Sequence, residues 1–412
     1  MGRTGEKTTT SVALAEPLPG ELHQQFERLR QTFGAIVEAV CGGSPRAQDV
    51  TDSFGVHRKL GWQIWNVAYS EDSHAAVRFV PNAKGIDVWR SAAAQRGVPD
   101  DLLRRLDDVI AQFQQLVETH AEDRDMLEMI VQSGSEHPDE SVELRWRKQA
   151  FTGNSFIWGV RAKSLLATVL LHPSARPGYF DMVRLQGLVG LVRTRAMVRW
   201  PFAQSIVQAE GGTVYAPERE PILSSKAVKR IGVPLMEEFC SQPLPPIARR
   251  TSENGMLEDE LLPGPAGQTA ASTIITGELA REVAPYFPTH AGEFALWGTG
   301  VRTPGEVLIS DHFVHRAMFP NVTRELRVFG ELISNTTRDE RDRLPVAERL
   351  QHLGRGVERV RTAEIPRYAE ILGAAFEKTG WDPDDFDVYR VRMRYPPIPV
   401  SVMVRHEMPM KA

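Results

Sequence analysis

Arg46-Ala47-Gln48-Asp49-Val50-Thr51-Asp52-Ser53-Phe54-Gly55-Val56-His57-Arg58-Lys59-Leu60-Gly61-Trp62-Gln63-Ile64 sets the character of the N-terminal part of the chain. Val50 and Phe54 are four positions apart and share a helix face. Gly55 supplies the positive φ that a tight turn between helices wants. Val56 fills the joint. Leu60, Ile64 and Val67 continue an apolar stripe at helical spacing, so the second helix turns one face to a core. The stretch reads as two short helices bent about Gly55.

The flanking sequence is helical too. Over residues 21–40, Phe26, Leu29, Phe33, Ile36 and Val40 recur at three or four residues, and Gly42-Gly43-Ser44-Pro45 ends that helix. Pro99-Asp100-Asp101 opens a longer one, with its aspartates at the positive end of the helix dipole. There Leu102, Leu106, Val109, Phe113 and Leu116 follow a short heptad spacing, too brief for a coiled coil and suited to a core-facing helix. Residues 134–139 break the pattern. We therefore expect a helical domain over 21–135, preceded by a disordered tail over 1–20.

After residue 144 the pattern becomes that of strands. Residues 155–160, 181–193, 306–314, 324–332 and 387–393 are rich in β-formers. Residues 345–355 and 364–379 read as helices, and 216–268 as an extended excursion. Pro396, Pro397 and Pro399 precede a last strand, 400–406, suited to a sheet edge. The expected fold class is α+β: an all-helical N-terminal domain, then a larger mixed domain over 145–412. One reading of that domain is a degenerate tandem repeat, 145–285 and 286–412; the other is coincidence among common strand residues. Phe156–Arg161 can be set against Phe294–Arg302, and Val169-Leu-Leu-His172 against His312-Phe-Val-His315. Val183–Val189 can be set against Leu326–Leu332; the last two pairs share an offset of 143 positions.

Composition narrows the class. The 412 residues carry a net charge of −4 and 42% hydrophobic residues, which excludes a globally basic nucleic-acid coat and fits a globular chain. The two cysteines, Cys41 and Cys240, form no C-x-x-C pair, which argues against a disulfide framework or structural zinc and for a reduced, cytoplasmic setting. The longest apolar run, Leu165–Leu171, is far shorter than the ~20 residues a membrane helix needs, and no membrane association is expected.

Residues 46–69 resemble the helix-turn-helix of DNA-binding regulators. The resemblance implies that the second helix enters the major groove, with Arg58, Lys59, Gln63 and Asn66 free to reach DNA. It also implies a homo-oligomer, since one such motif reads a half-site. Two positions depart from the family pattern: Thr51 stands where alanine is usual, and Gly61 where a branched apolar residue is usual. Trp62, Trp65 and Tyr69 on the face opposite the stripe suggest packing on both sides. The charge over 41–98 is only +2.

Charge is uneven elsewhere. Val98–Glu143 is −10, and Leu144–Ala209 is +9. The two blocks could neutralise each other, within a chain or between subunits. The basic block could instead bind an anionic small molecule through Arg184, Arg193 and Arg195, with Trp146, Trp158, Tyr179 and Trp200 near enough in sequence to stack on it. No nucleotide, hydrolase or metalloprotease signature occurs. His312 and His315 would share a face only on a helix, and their surroundings read as strand. No catalytic residue, cofactor or metal is assigned. The expectation is a DNA-binding transcriptional regulator with a C-terminal ligand-sensing or oligomerisation domain. Alternatives are a small-molecule-binding protein or enzyme acting on an anion, and a self-assembling structural protein.

Overall fold

The structure is a computed structural model that describes residues 20–70, 76–133, 140–205, 208–210, 213–215, 219–251, 257–288, 290, 292–331 and 340–410. The chain forms two compact units, Met1–Pro138 and Asp139–Ala412. The expected tail lies outside the described residues up to position 19, as does the expected boundary over 134–139.

The first unit contains α1 (Gly20–Cys41), α2 (Ala47–Phe54), α3 (Arg58–Tyr69), α4 (Ala83–Gln95), α5 (Asp100–His120) and α6 (Arg124–Ser133). Its core gathers Phe26, Phe33 and Ile36 of α1, Val50 and Phe54 of α2, and Ile64 and Val67 of α3. Trp89 of α4 is fully buried among them, with its ring 4.5 Å from Phe33 and 6.0 Å from Phe54. On α5, Leu103 and Ile110 are buried together with Leu106, Val109, Phe113 and Leu116. That apolar face is wider than a heptad seam, and it is the face of a core helix.

The second unit opens with α7 (Glu140–Trp158). Then follow β1 (Val160–Pro173), β2 (Tyr179–Arg193), β3 (Trp200–Ser205), β4 (Gln208–Glu210), β5 (Thr213–Tyr215) and β6 (Arg219–Pro221). After α8 (Lys226–Ile231) come β7 (Ile247–Thr251), β8 (Leu257–Leu261), β9 (Ser272–Pro285), β10 (Phe294–Val301) and β11 (Gly305–His315). The chain continues through β12 (Glu325–Gly330), β13 (Arg343–Leu344), β14 (Gln351–Arg355), α9 (Tyr368–Thr379), β15 (Phe386–Arg394) and β16 (Val400–Glu407).

A seven-stranded sheet runs β14-β15-β11-β1-β2-β9-β6. Its central pair, β1 and β11, is parallel and its other pairs are antiparallel. One face presents Leu166, Leu170, Leu185, Ile309 and Phe313 to Ile371, Leu372 and Phe376 of α9. The other presents Leu165, Leu188, Ile274, Leu308 and Val391 to two smaller sheets, β10-β16-β12-β13 and β3-β8-β7. Helix, large sheet and small sheets make three layers. The α+β class read from the sequence is thus present, with helices first and a larger sheet-rich unit after them.

Three local expectations need correction. Residues 155–159 do not form a strand, and β1 begins only at Val160. Helix α7 continues to Trp158 because Val142, Arg147, Phe151 and Ser155 bury one face, and it stops at Gly159, whose φ is +71°. Residues 345–355 form no helix; Gln351–Arg355 is a strand, interrupted by a register shift beside Gly354 at φ +93°. The last strand is not at an edge, since β16 lies between β10 and β12 and is hydrogen-bonded on both sides. Within 216–268 the described residues form β6, α8, β7 and β8.

The segments compared as a repeat fall in different settings. Trp158 ends a helix and Trp297 lies in a strand, while β2 and β12 belong to different sheets. The 143-residue offset reappears as the register of the parallel pair, in which Val169 faces His312.

Between α9 and the sheet lies a buried polar cluster. Arg390 donates to both oxygens of Asp311, at 2.8 and 2.7 Å, and to the Val360 carbonyl at 2.7 Å. The Tyr368 hydroxyl donates to Asp311 at 2.8 Å and lies 2.7 Å from Thr168 Oγ1. Burial, reinforced by the Asp311 charge, pushes the Tyr368 phenol well above its usual range. The cluster fixes α9 to the sheet.

Candidate functional site

Two regions combine defined geometry with accessible chemistry, one in each unit. In the first, Gly55 ends α2 in the left-handed conformation, at φ 65° and ψ 32°. Its N–H meets the Asp52 carbonyl, and the Val56 N–H meets that of Thr51 at 3.2 Å. His57 then caps α3, its Nδ1 accepting from the Lys59 N–H at 3.2 Å. Burial of Val50, Phe54, Ile64 and Val67 holds the two helices to α1 and α4.

Arg58 and Lys59 project from the first turn of α3. Both are exposed, and neither forms an ion pair among the described residues. Gln63 lies one turn on from Lys59 and is half-buried. Asn66 is half-buried as well, and its amide is taken up by the helix, donating to the Trp62 carbonyl at 2.7 Å. Trp65 donates from Nε1 to the Pro45 carbonyl at 2.7 Å. Trp62 keeps 47% of its surface exposed, its ring edge-on to Phe79 at 5.0 Å. The aromatic side of α3 is therefore partly covered by the chain before α2 and by the turn at Val77–Phe79.

In the second unit, several arginines of the basic block are already engaged. Arg184 pairs with Glu278 at 2.5 Å, and Glu278 also takes Arg219 at 2.6 Å. Arg193 is buried and donates to the Leu262 carbonyl; burial lowers its pKa. Arg147 is clamped by Glu143 and Glu348, at 2.8 and 2.7 Å. Arg195 is exposed and donates to the Ile157 carbonyl at 2.6 Å. Of the three arginines proposed to hold an anion, Arg195 alone lines the cavity described next, and the three do not converge on it.

That cavity, of about 640 Å³, lies against the face of the large sheet that meets the smaller sheets. Its floor is a row across three strands, Ala167 of β1, Gln186 of β2 and Thr276 of β9, with Leu188, Ile274 and Leu308 beside it. The row is small on both sides of Gln186, which leaves the space open. Trp158, Trp200, Phe202 and Thr299 form walls. The Trp158 and Trp200 rings meet edge-on at 6.1 Å, and Trp200 Nε1 donates to Thr303 Oγ1 at 2.9 Å. Sequence proximity had placed Trp158 and Trp200 with Arg195, and the structure brings them together. Trp146 and Tyr179 lie outside the lining. Gln186, Thr276 and Arg302 carried no sequence signal as a group, because strands far apart in the chain assemble them.

The histidines of Asp311-His312-Phe313-Val314-His315 lie on a strand and point to opposite faces. His312 is buried, with Nε2 3.2 Å from Ser310 Oγ; burial, then the nearby Arg324 charge, holds its pKa at about 4. His406 accepts from Trp297 Nε1 at 3.2 Å and is held at about 4, again by burial first and despite its hydrogen bond to the Glu407 carbonyl. On the other face His315 lies 4.7 Å from His172, which stacks on Trp381 at 4.6 Å. Among the described residues no three His, Cys, Asp or Glu side chains are grouped to hold a metal ion. No described helix is long and apolar enough to cross a membrane.

Comparison of the chain with known proteins finds no matching family model, no matching curated protein and no matching solved structure.

Proposed function

We propose that the chain is a DNA-binding regulator of transcription that presents the N-terminal turn of α3 to the major groove. One observation carries this reading: Arg58 and Lys59 stand exposed and, among the described residues, without acidic partners, on a helix fixed by the left-handed bend at Gly55. Exposed cations at that end of a second helix suit phosphate and base-edge contacts. Gln63 adds an amide one turn further along the same side. A single motif of this kind reads one half-site, so the working form would be a homo-oligomer in the cytoplasm.

The test is fluorescence anisotropy of the full chain with mixed-sequence duplex DNA, titrated across salt. Binding should weaken steeply as salt rises, and the double variant Arg58→Ala, Lys59→Ala should bind more weakly, with a log–log salt slope smaller by about 2 per DNA-bound subunit. Unchanged affinity and slope in that variant would overturn the reading.

A further inference from the structure

We infer that the cavity of the second unit is a binding site for a single-chain amphiphile with an apolar body and one anionic head group, a carboxylate or a phosphate monoester. This does not depend on DNA binding by the first unit.

The volume of about 640 Å³ is that of a small-molecule site. Leu165, Leu188, Ile274, Leu308 and Phe202 make most of its wall apolar, so burial of a hydrocarbon body would drive binding. Among the described residues the Gln186 carboxamide on the floor makes no hydrogen bond, and it is left for a polar group of the occupant.

The head group is argued from charge. Three arginines line the cavity. Arg199 is neutralised by Glu260, and Arg302 by Glu331 at 2.7 Å. Among the described residues Arg195 has no acidic partner, and the one hydrogen bond of its side chain is to a backbone carbonyl. It is also held in place. Gly159 leaves room for it, since a Cβ there would stand 2.5 Å from Arg195 Nε. The guanidinium keeps N–H groups for a carboxylate or phosphate.

The chain next to Arg195 and next to the carbonyl it binds carries exposed apolar residues. Phe156 and Met197 are 81% and 80% exposed, and Ile157 and Trp158 are open beside them. Trp158 lines the cavity with Arg195, and its chain neighbours Phe156 and Ile157 are exposed; an apolar rim beside a positioned cation suits an amphiphile that lodges its body first and leaves its head at the mouth.

The experiment titrates the full chain with sodium dodecanoate below its micelle concentration, by calorimetry and by tryptophan fluorescence, since Trp158 and Trp200 line the cavity. Dodecyl phosphate, dodecanol and dodecyltrimethylammonium serve as comparisons. One dodecanoate or dodecyl phosphate per chain should bind saturably, and the emission should change. Arg195→Glu should weaken dodecanoate about tenfold while leaving dodecanol unchanged. Ala203→Trp, which fills the cavity, should abolish binding of both; if that chain fails to melt cooperatively, Thr299→Trp on β10 makes the same test. The proposal is overturned if neither anion binds saturably, if the ammonium amphiphile binds as tightly as dodecanoate, or if binding survives in a folded, cavity-filled variant.

Discussion

Thr51 of α2 and Gly61 of α3 meet where the two helices cross. A Cβ placed on Gly61 would lie 2.9 Å from Thr51 Cα and 3.0 Å from its Cβ, and closer still to Oγ1. These are the two positions at which the segment departs from the helix-turn-helix pattern. The departures compensate: the first helix carries a larger side chain than usual, and the second carries none. Gly61→Ala should therefore lower the unfolding free energy by about 1–3 kcal/mol, although alanine is ordinarily the better helix former by roughly 1 kcal/mol. Thr51→Ala should restore part of the loss only, because the main chain at 51 is itself within reach. Denaturant melts of the four chains in a double-mutant cycle check this. Gly153→Ala in α7, where a Cβ meets nothing within 4 Å, should stabilise its own unit.

Gln63 and Asn66 should behave differently on DNA. The Asn66 amide is already bound to the Trp62 carbonyl, whereas Gln63 lies one turn beyond Lys59. Gln63→Ala should relax base preference at one position, by about 1–3 kcal/mol, and Asn66→Ala should change it little. Competition anisotropy with a panel of single-base variants reads the difference.

The Asp311–Arg390 pair should be costly to break and cheap to replace. Asp311→Asn leaves a guanidinium that is largely out of water without its counter-charge, and should cost about 3–5 kcal/mol. Tyr368→Phe removes one neutral donor and should cost about 1 kcal/mol. Exchanging both partners, Asp311→Leu with Arg390→Met, should recover most of the loss of the first change. Urea melts of the four chains decide it.

Stability should fall with acid above the range in which carboxylates titrate. His312 and His406 have folded pKa values near 4, against about 6.5 when unfolded. Between those values the unfolded chain takes up protons that the folded chain does not. The resulting loss begins as pH drops below 6.5 and is complete near 4, at most about 3 kcal/mol for each group. His312→Gln should flatten the slope of unfolding free energy against pH between 6.5 and 4.5, as followed by thermal melts. An unaltered slope would assign that acid sensitivity to other groups.

Much of the fold was legible because its signals are local. The Phe26–Val40 stripe, the bend at Gly55, the α5 stripe and the long strands 181–193 and 306–314 all follow from spacing within one element. The errors have a common physical source. Ser155–Val160 has strand composition, but residues 155–158 are held in a helix by the core face that begins at Val142. Prolines before β16 suggested an edge, yet they lie outside the strand and leave its N–H groups free for both neighbours. The cavity was legible only in fragments, as Trp158, Arg195 and Trp200. Its floor comes from three strands, and Gln186 and Thr276 are neighbours only once β2 and β9 have paired. The 143-residue offset has a similar origin. Parallel partners that bury the same face come to share apolar spacing, so Val169-Leu-Leu-His172 matches the pattern of His312-Phe-Val-His315.

The parallel seam between β1 and β11 also sets an order of assembly during synthesis. By the time Gly305 leaves the ribosome, β1 has been available for more than a hundred residues, and its hairpin partner β2 has covered only one of its sides. The other side, along the apolar run Leu165–Leu171, stays an open template until β11 arrives. Closing so long a loop is slow, and the waiting edge is where nascent chains would adhere to one another. Shortened versions of the second unit that stop before Gly305 should therefore collect as aggregates, whereas those that reach β15 can seal the seam and cover β11 in turn.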